Sequence, residues 1–562
     1  MTTTLRFRFA RRHAVAAFAF TALAAAAAAY ADGFSQDRDF HFWPGNLVVT
    51  RSVYDNKASN VQLGEILPPD CPASSGGCGT APGAQYDGTY PQVFNNVIYD
   101  ANFGITSRVY LDQITPDGWL INSLEVPNSQ LPAAREGELV TSFSSKSELG
   151  LHLSLDGKYL SFVGYVAPVN AIDVSNANTP LEVDPTNPDG GTYYRAVALV
   201  DGHGHFQFTQ TNAYSGDNGR AAIYNDVNGA NVFYTSGNAG NGSNPQPAGV
   251  VLGAGAQWIT PSTLPEALQS AGAPTPLASF SVTALGDKAD KIGKDDNFRG
   301  MTVFDNVLYY TKGSGSNGVN TVYFVDTTGT ACPKGVGVPV AGAPLPTSPL
   351  AYNASTLSSA GLPSNMCILA GFPTALTKTA TTVAYPFALW FADANTLYVA
   401  DEGDGYTGGG DLYTHAAAQT TAGLQKWVFN AGTKSWTLAY TLQAGLGLGQ
   451  PYTVHGYPTG NNPATQLPWS PATDGLRQIT GRVDRDGKVT IWAVTSTVSG
   501  GGDTGADPDR LVAVRDTLSN TTAAGAAQEH FVTLRAAKFG EVLRGVSFAP
   551  GTEQQGKDNG WH

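Results

Sequence analysis

One short phrase recurs along this 562-residue chain: an acid, two further residues, and an arginine at the head of an apolar strand. "KDDNFRGMTVFDNVLYYTKGSG" holds Asp296 and Arg299, and the same spacing joins Asp217 to Arg220, Asp474 to Arg477 and Glu541 to Arg544. A phrase returning at long intervals marks a repeat architecture in which each copy is one supersecondary unit. Hairpins follow the same rhythm. "GMTVFDNVLYYTKG", "ALWFADANTLYVADEG" and "LHLSLDGKYLSFVG" each read as an apolar strand, a tight turn with Asp or Asn, and a second apolar strand.

Two further strand-like runs follow each hairpin, which makes a four-strand unit. Five such units start near Glu148, Arg220, Arg299, Phe387 and Arg477. Two fragments are left over and complement each other: the C-terminal "LRGVSFAPG" lacks partners, while the N-terminal "NLVVTRSV", "SRVYLDQIT" and "INSLEVP" lack an inner strand. Joined, they form a sixth unit. The expected fold is all-β, a six-bladed β-propeller of four-stranded blades closed by a blade shared between the chain ends. A seventh blade is the competing count, because the segment from Pro333 to Thr382 is long enough to hide strands.

In such a blade the first strand lines the central channel, so the arginines crown the channel mouth and the acids lie in the loops arriving from the preceding blade. The structural reading pairs each Arg bidentately with an acid of its own or a neighbouring blade. The functional reading turns Arg220, Arg299, Arg477 and Arg544, with Asp296, toward an anionic or polar ligand. Leu149 and Phe387 head the two blades without the Arg, which breaks the ring there.

The chain opens with Arg6, Arg8, Arg11 and Arg12 before an apolar run from Ala14 to Ala29, ending in Ala29-Tyr30-Ala31. This is the pattern of a signal peptide over residues 1–31, leaving a propeller domain over 32–562 that is secreted or periplasmic. The formal charge is −13, and loss of the four leader arginines takes it to about −17, which argues against a nucleic-acid partner. No later stretch is apolar enough for a membrane span. Charged residues make up only 14%, and the loops are rich in Gly, which suits an exported monomeric β-protein. Of the three pairings open to four cysteines, the one that closes the shortest loops joins Cys71 to Cys78 and Cys332 to Cys367.

Long loops fall on the face of the strand heads, so a site is expected there. "LYVADEGDGYTGGGD" offers Asp401, Glu402, Asp404 and Asp411 as oxygen donors for a Ca2+-type cation, against the plainer reading of a solvated acidic turn. Glu148 is a further candidate ligand. Lys294, with Lys288, Lys291 and Lys312, forms a basic rim beside Arg299 that suits an anionic substrate group. His455, in a long loop, is the general-base candidate by position. There is no G-x-S-x-G elbow, H-E-x-x-H, Walker loop or dinucleotide fingerprint.

"PFALWFADANTLYVADEGDG" followed by "GLQKWVF" resembles the NHL-type propeller repeat, and "FRGMTVFDNVLYYTKG" with "VLRGVSFAPG" resembles the R-G-headed blades of exported phytase-like esterase propellers. The whole chain is similar to an exported bacterial group of propellers. The related lactonase-like propellers imply one Ca2+ at the channel mouth and ester or lactone hydrolysis, with Asp401 and Glu148 near matching positions; a full ligand set has no match here. Two functions follow. One is a metal-assisted hydrolase of an ester, lactone or phosphoester, and the other a non-catalytic binding propeller for a glycan or protein.

Overall fold

A computed structural model describes residues 40–63, 104–131, 138–175, 177–180, 191–238, 255–262, 276–278, 297–313, 318–332, 335–348, 366–462, 465–501 and 504–553. The leader boundary, Cys71, Cys78, Lys294 and Asp296 lie outside these residues.

Six antiparallel sheets form a β-propeller. Blade 1 runs from β26 (Glu541–Phe548) through β1 (Leu47–Val53) and β2 (Thr106–Ile114) to β3 (Leu120–Glu125), with the short β4 (Thr141–Ser142) also on β2. Blade 2 is β5 (His152–Leu153), β6 (Tyr159–Tyr165), β7 (Arg195–Asp201) and β8 (Phe206–Thr211). Blade 3 is β9 (Gly219–Asn225), β10 (Val232–Gly237), β11 (Ala256–Ile259) and β12 (Pro276–Ala278). Blade 4 is β13 (Met301–Phe304), β14 (Val307–Lys312), β15 (Thr321–Val325) and β17 (Met366–Leu369), extended by the parallel β16 (Val336–Gly337). Blade 5 is β18 (Pro386–Asp393), β19 (Thr396–Asp401), β20 (Gly423–Asn430) and β21 (Ser435–Leu442). Blade 6 is β22 (Ala472–Val483), β23 (Lys488–Val498), β24 (Arg510–Thr517) and β25 (Val532–Ala536).

The unit starts read from the repeat fall at the heads of the first strands, and the blade count is six. The described part of the long segment after Pro333 supplies the outer strands of blade 4 instead of a blade of its own. β26 pairs with β1, Leu47 opposite Phe548 and Val53 opposite Glu541, so one sheet draws on both chain ends.

Stacking explains the strand composition. A strand sandwiched between neighbouring blades has no solvent face, and β10 and β19 are buried at every position. The outermost β3 and β25 are half exposed. Between blades 4 and 5, Phe304 stacks on Phe391 with ring centroids 4.5 Å apart. Between blades 5 and 6 the wedge is ionic: Lys426 Nζ lies 2.8 Å from Asp516 Oδ2, both fully buried. Asp516 also accepts from Tyr398 and from Tyr440, the latter at 2.6 Å.

The glycine after the arginine in "RG" has a specific cause. A Cβ on Gly300 would stand 2.3 Å from the Phe387 carbonyl oxygen on the next blade, and one on Gly545 would stand 2.3 Å from that of Leu149. Gly150 repeats this against Ala221, at 2.9 Å from its Cβ. At these junctions the first strands of adjacent blades thus approach closely just below the arginines, leaving no room for a side chain between them.

Candidate functional site

The charged cluster at the strand heads centres on Glu402, the residue after β19. Gly475 sets its position: a Cβ there would lie 2.4 Å from the Asp401 carbonyl oxygen, so β22 presses directly on the end of β19. Three cations converge on the Glu402 carboxylate. Lys146 Nζ lies 3.3 Å from Oε2, Arg477 Nε 3.4 Å from Oε2, and Arg299 Nε 3.6 Å from Oε1. They come from the loop entering blade 2, from blade 6 and from blade 4. Arg299 also donates to Ser147 Oγ, and its guanidinium stands 5.9 Å from the Phe387 ring centre. The two gaps in the arginine ring are thereby accounted for: Lys146 supplies the cation of blade 2, and Phe387 gives Arg299 an aromatic face.

Burial alone would raise the Glu402 carboxyl, but Lys146, Arg299 and Arg477 outweigh it and hold the group below its ordinary value. Lys146 is recessed; a third of its side chain meets solvent, yet burial still lowers its ammonium pKa, with repulsion from Arg299 and Arg477 adding to the shift and Glu402 opposing it. Burial likewise lowers Arg299, against the pull of Glu402. Two neighbouring acids behave oppositely. Asp401 and Asp474 are each pushed up to about 7 by burial, with the Glu402 charge adding to both. The core of the mouth therefore holds three cations around one carboxylate kept ionised.

The described acids of the repeated phrase, Asp217, Asp474 and Glu541, take other hydrogen-bond and ion-pair partners. Three residues along an extended chain span roughly 10 Å and reverse the facing side, so the two side chains diverge. Arg220 donates to the Phe298 carbonyl at 2.7 Å and to Asn218 Oδ1 at 3.1 Å. Burial and repulsion from Arg299 lower its pKa, while Asp217 and Glu402 oppose the shift. Arg544 donates to the carbonyls of Phe143 and Gly505, at 2.8 and 2.6 Å. Asp217 accepts from Asn238, Glu541 pairs with Arg51 at 3.0 Å, and Asp474 accepts the Gly405 N–H at 2.9 Å and the Gln419 amide.

The carboxylates proposed from sequence as metal donors divide among different partners, Asp411 accepting from the Tyr406 hydroxyl at 3.2 Å. Glu148 is saturated by neutral donors: Thr141 Oγ1 at 2.6 Å, the Ser142 N–H at 3.0 Å, and Tyr165. Asp401 accepts the N–H groups of Tyr385 and Gly403 at 2.9 and 3.0 Å. Asp404 pairs with His415 Nε2 at 2.7 Å, on the short helix Leu412–Ala418. Among the described residues, one set of three metal-ligating groups lies close together, Asp326 with Cys332 and Cys367, and those cysteines are joined as a disulfide. Lys312 is fully buried in β14, away from the solvent rim where the sequence placed it. His455 sits exposed in a turn.

Sequence reasoning missed Lys146, Ser147 and His415. "SSKSELG" at the head of blade 2, where the arginine is absent, was the available signal for the first two. No protein-family model matches the chain, and no curated protein matches it.

Proposed function

We propose that this propeller recognises a small anionic ligand at the channel mouth, through Lys146, Arg299 and Arg477. The observation that carries this reading is the excess of positive charge: three cations share the Glu402 carboxylate, with Glu402, Arg299 and Arg477 buried, where an added anion gains most. Lys146, the most exposed of the three, is the first contact for an incoming ligand. Binding is the primary activity. Export is part of the same reading, supported by the leader pattern and by the Cys332–Cys367 disulfide.

A second reading, hydrolysis of a bound ester, lactone or phosphoester, is favoured by Asp401 and Asp474, buried acids beside the cations that titrate near neutrality. In its Ca2+-assisted form, resembling the lactonase-like propellers, a cation would have to compete with Lys146, Arg299 and Arg477 for Glu402.

Thermal melts and calorimetric titration with phosphate, sulfate and acetate test the primary reading. Multivalent anions are expected to raise the melting temperature, and Arg299→Ala to abolish the effect with modest loss of stability. Identical melts in all anions, or an anion response unchanged by Arg299→Ala, would reject it. A melt after EDTA, with and without added Ca2+, tests the metal form: a Ca2+-reversible drop supports it, and no shift removes it.

A further inference from the structure

Asp516, on β24, is a fully buried carboxylate at the centre of the ionic wedge between blades 5 and 6. Lys426 on β20 lies 2.8 Å from it, and the hydroxyls of Tyr398 on β19 and Tyr440 on β21 donate to it. A second carboxyl reaches the same place. Glu529 belongs to the segment 518–531 that joins β24 to β25, and its side chain is hydrogen-bonded to that of Asp516. Its Oε1 accepts the Thr517 N–H at 2.8 Å and the Asn520 amide at 3.0 Å, so this one side chain ties the end of the segment to its start. Its Oε2 is shielded from solvent and meets no donor.

Two carboxyl groups in contact hold together only through a shared proton, because like charges at that range cannot both ionise. Lys426 cannot stand in for the proton. Its three ammonium hydrogens already serve Asp516 and the carbonyls of Thr517 and Leu518, the last two at 2.9 Å each. Asp516 keeps its charge, with Lys426 and two tyrosine hydroxyls around it, so the proton sits on Glu529. Burial, followed by the hydrogen bond to Asp516, pushes the Glu529 carboxyl up to about 7. The other titratable groups nearby are engaged elsewhere or hold one state. Burial raises Tyr398 and Tyr440, with Asp516 adding to both, which keeps them protonated. Arg515 turns to Asp484 and Asp486, Lys488 is exposed, and the exposed His530 has its Nδ1 3.2 Å from the Gln528 carbonyl.

The remaining anchors of the segment lie toward its end. Ala526 and Phe531 are buried against side chains of blades 5 and 6, and the Phe531 N–H donates to the Ala444 carbonyl at 2.8 Å. Thr521, Thr522, Ala523, Ala524 and Gly525 are exposed. We infer that the segment 518–531 is a proton-locked strap across the wedge, closed while one proton bridges Glu529 and Asp516 and released when that proton leaves. Gly525, Gln528 and Glu529 also line a surface groove together with Lys488 and Arg515, so release reshapes that groove. The direction follows from linkage. Glu529 titrates near 7 with the strap closed and near 4.5 with it released, so the lock is complete below about 4.5 and is lost as pH rises through about 7.

Hydrogen exchange on the full-length protein between pH 5 and pH 8, expressed as protection factors, provides the test. Protection of the Glu529 and Phe531 amides is expected to fall by roughly ten- to a hundredfold in wild type, while that of the β10 amides stays constant. Glu529→Gln, whose side-chain amide donates to Asp516 at every pH, should hold protection flat at its acid level. His530→Asn, which removes the other group that titrates in this window, should leave the decline in place. A flat wild-type profile, an equal decline in Glu529→Gln, or loss of the decline in His530→Asn would overturn the assignment. The wild-type and His530→Asn profiles decide the matter even if Glu529→Gln does not fold.

Discussion

Replacing Glu402 by Gln gives the sharpest view of the channel mouth. The variant keeps the shape of the side chain and removes the charge shared by Lys146, Arg299 and Arg477 at 3.3, 3.6 and 3.4 Å. At an effective dielectric of about 20, a pair at these distances attracts by roughly 4–5 kcal/mol before desolvation is counted. The Lys146 share is smaller because solvent reaches it. Relief of the carboxylate's own desolvation offsets much of the remainder, and breaking buried pairs from one side typically costs about 3–5 kcal/mol. With an unfolding entropy of about 2.1 cal/mol/K per residue over roughly 500 residues, the melting temperature should fall by about 3–5 °C. The informative part is anion rescue. Three uncompensated cations should bind sulfate or phosphate more tightly than in wild type, and an anion at a hundred times its Kd returns about 2.7 kcal/mol. Differential scanning calorimetry of both proteins in chloride and then in sulfate measures this. A Glu402→Gln protein as stable as wild type, or one that sulfate stabilises no more than wild type, would refute the charge-excess argument.

Asp401 and Asp474 make stability depend on pH in an unusual direction. Their folded pKa values of about 7 lie above the unfolded value near 3.8, so the folded state holds protons that the unfolded state has lost, and these groups reduce stability as pH rises from about 4 to 7. Denaturant melts of Asp474→Asn should show a flatter pH profile across that window; an unchanged profile would contradict it. Lys426→Met strands the buried Asp516 between blades 5 and 6 and should cost about 3–5 kcal/mol by urea titration, with a cost under about 1 kcal/mol counting against the pair as the wedge. Gly300→Ala drives a methyl group against the Phe387 carbonyl, and should destabilise by about 1–3 kcal/mol without changing the slope of the denaturant curve.

Strand content and blade count were legible because both rest on local patterning. A strand buried on both faces must be apolar throughout, its hairpin needs a turn residue, and the ring repeats the unit, so "GMTVFDNVLYYTKG" and its relatives announce themselves. The site was legible only in part. The arginines stood out by repetition, yet their partners did not, because Arg299 and Arg477 meet a carboxylate on blade 5 about 100 and 75 residues away in sequence. The adjacent acids Asp217, Asp474 and Glu541 looked like partners by spacing. Strand geometry turns them aside.

The sequence by itself determined that the chain is a ring of stacked hairpin units, with arginines at the heads of several of them. Those features depend on residues close together in the chain. Only the tertiary structure decided that Lys146 takes the place of a missing arginine, that Glu402 is the shared counter-ion, and that the glycine after each of Arg299 and Arg544 lies against the backbone of the next blade. Each of these depends on how closely one blade approaches another, a distance set by backbone contact across the ring and carried by no local pattern.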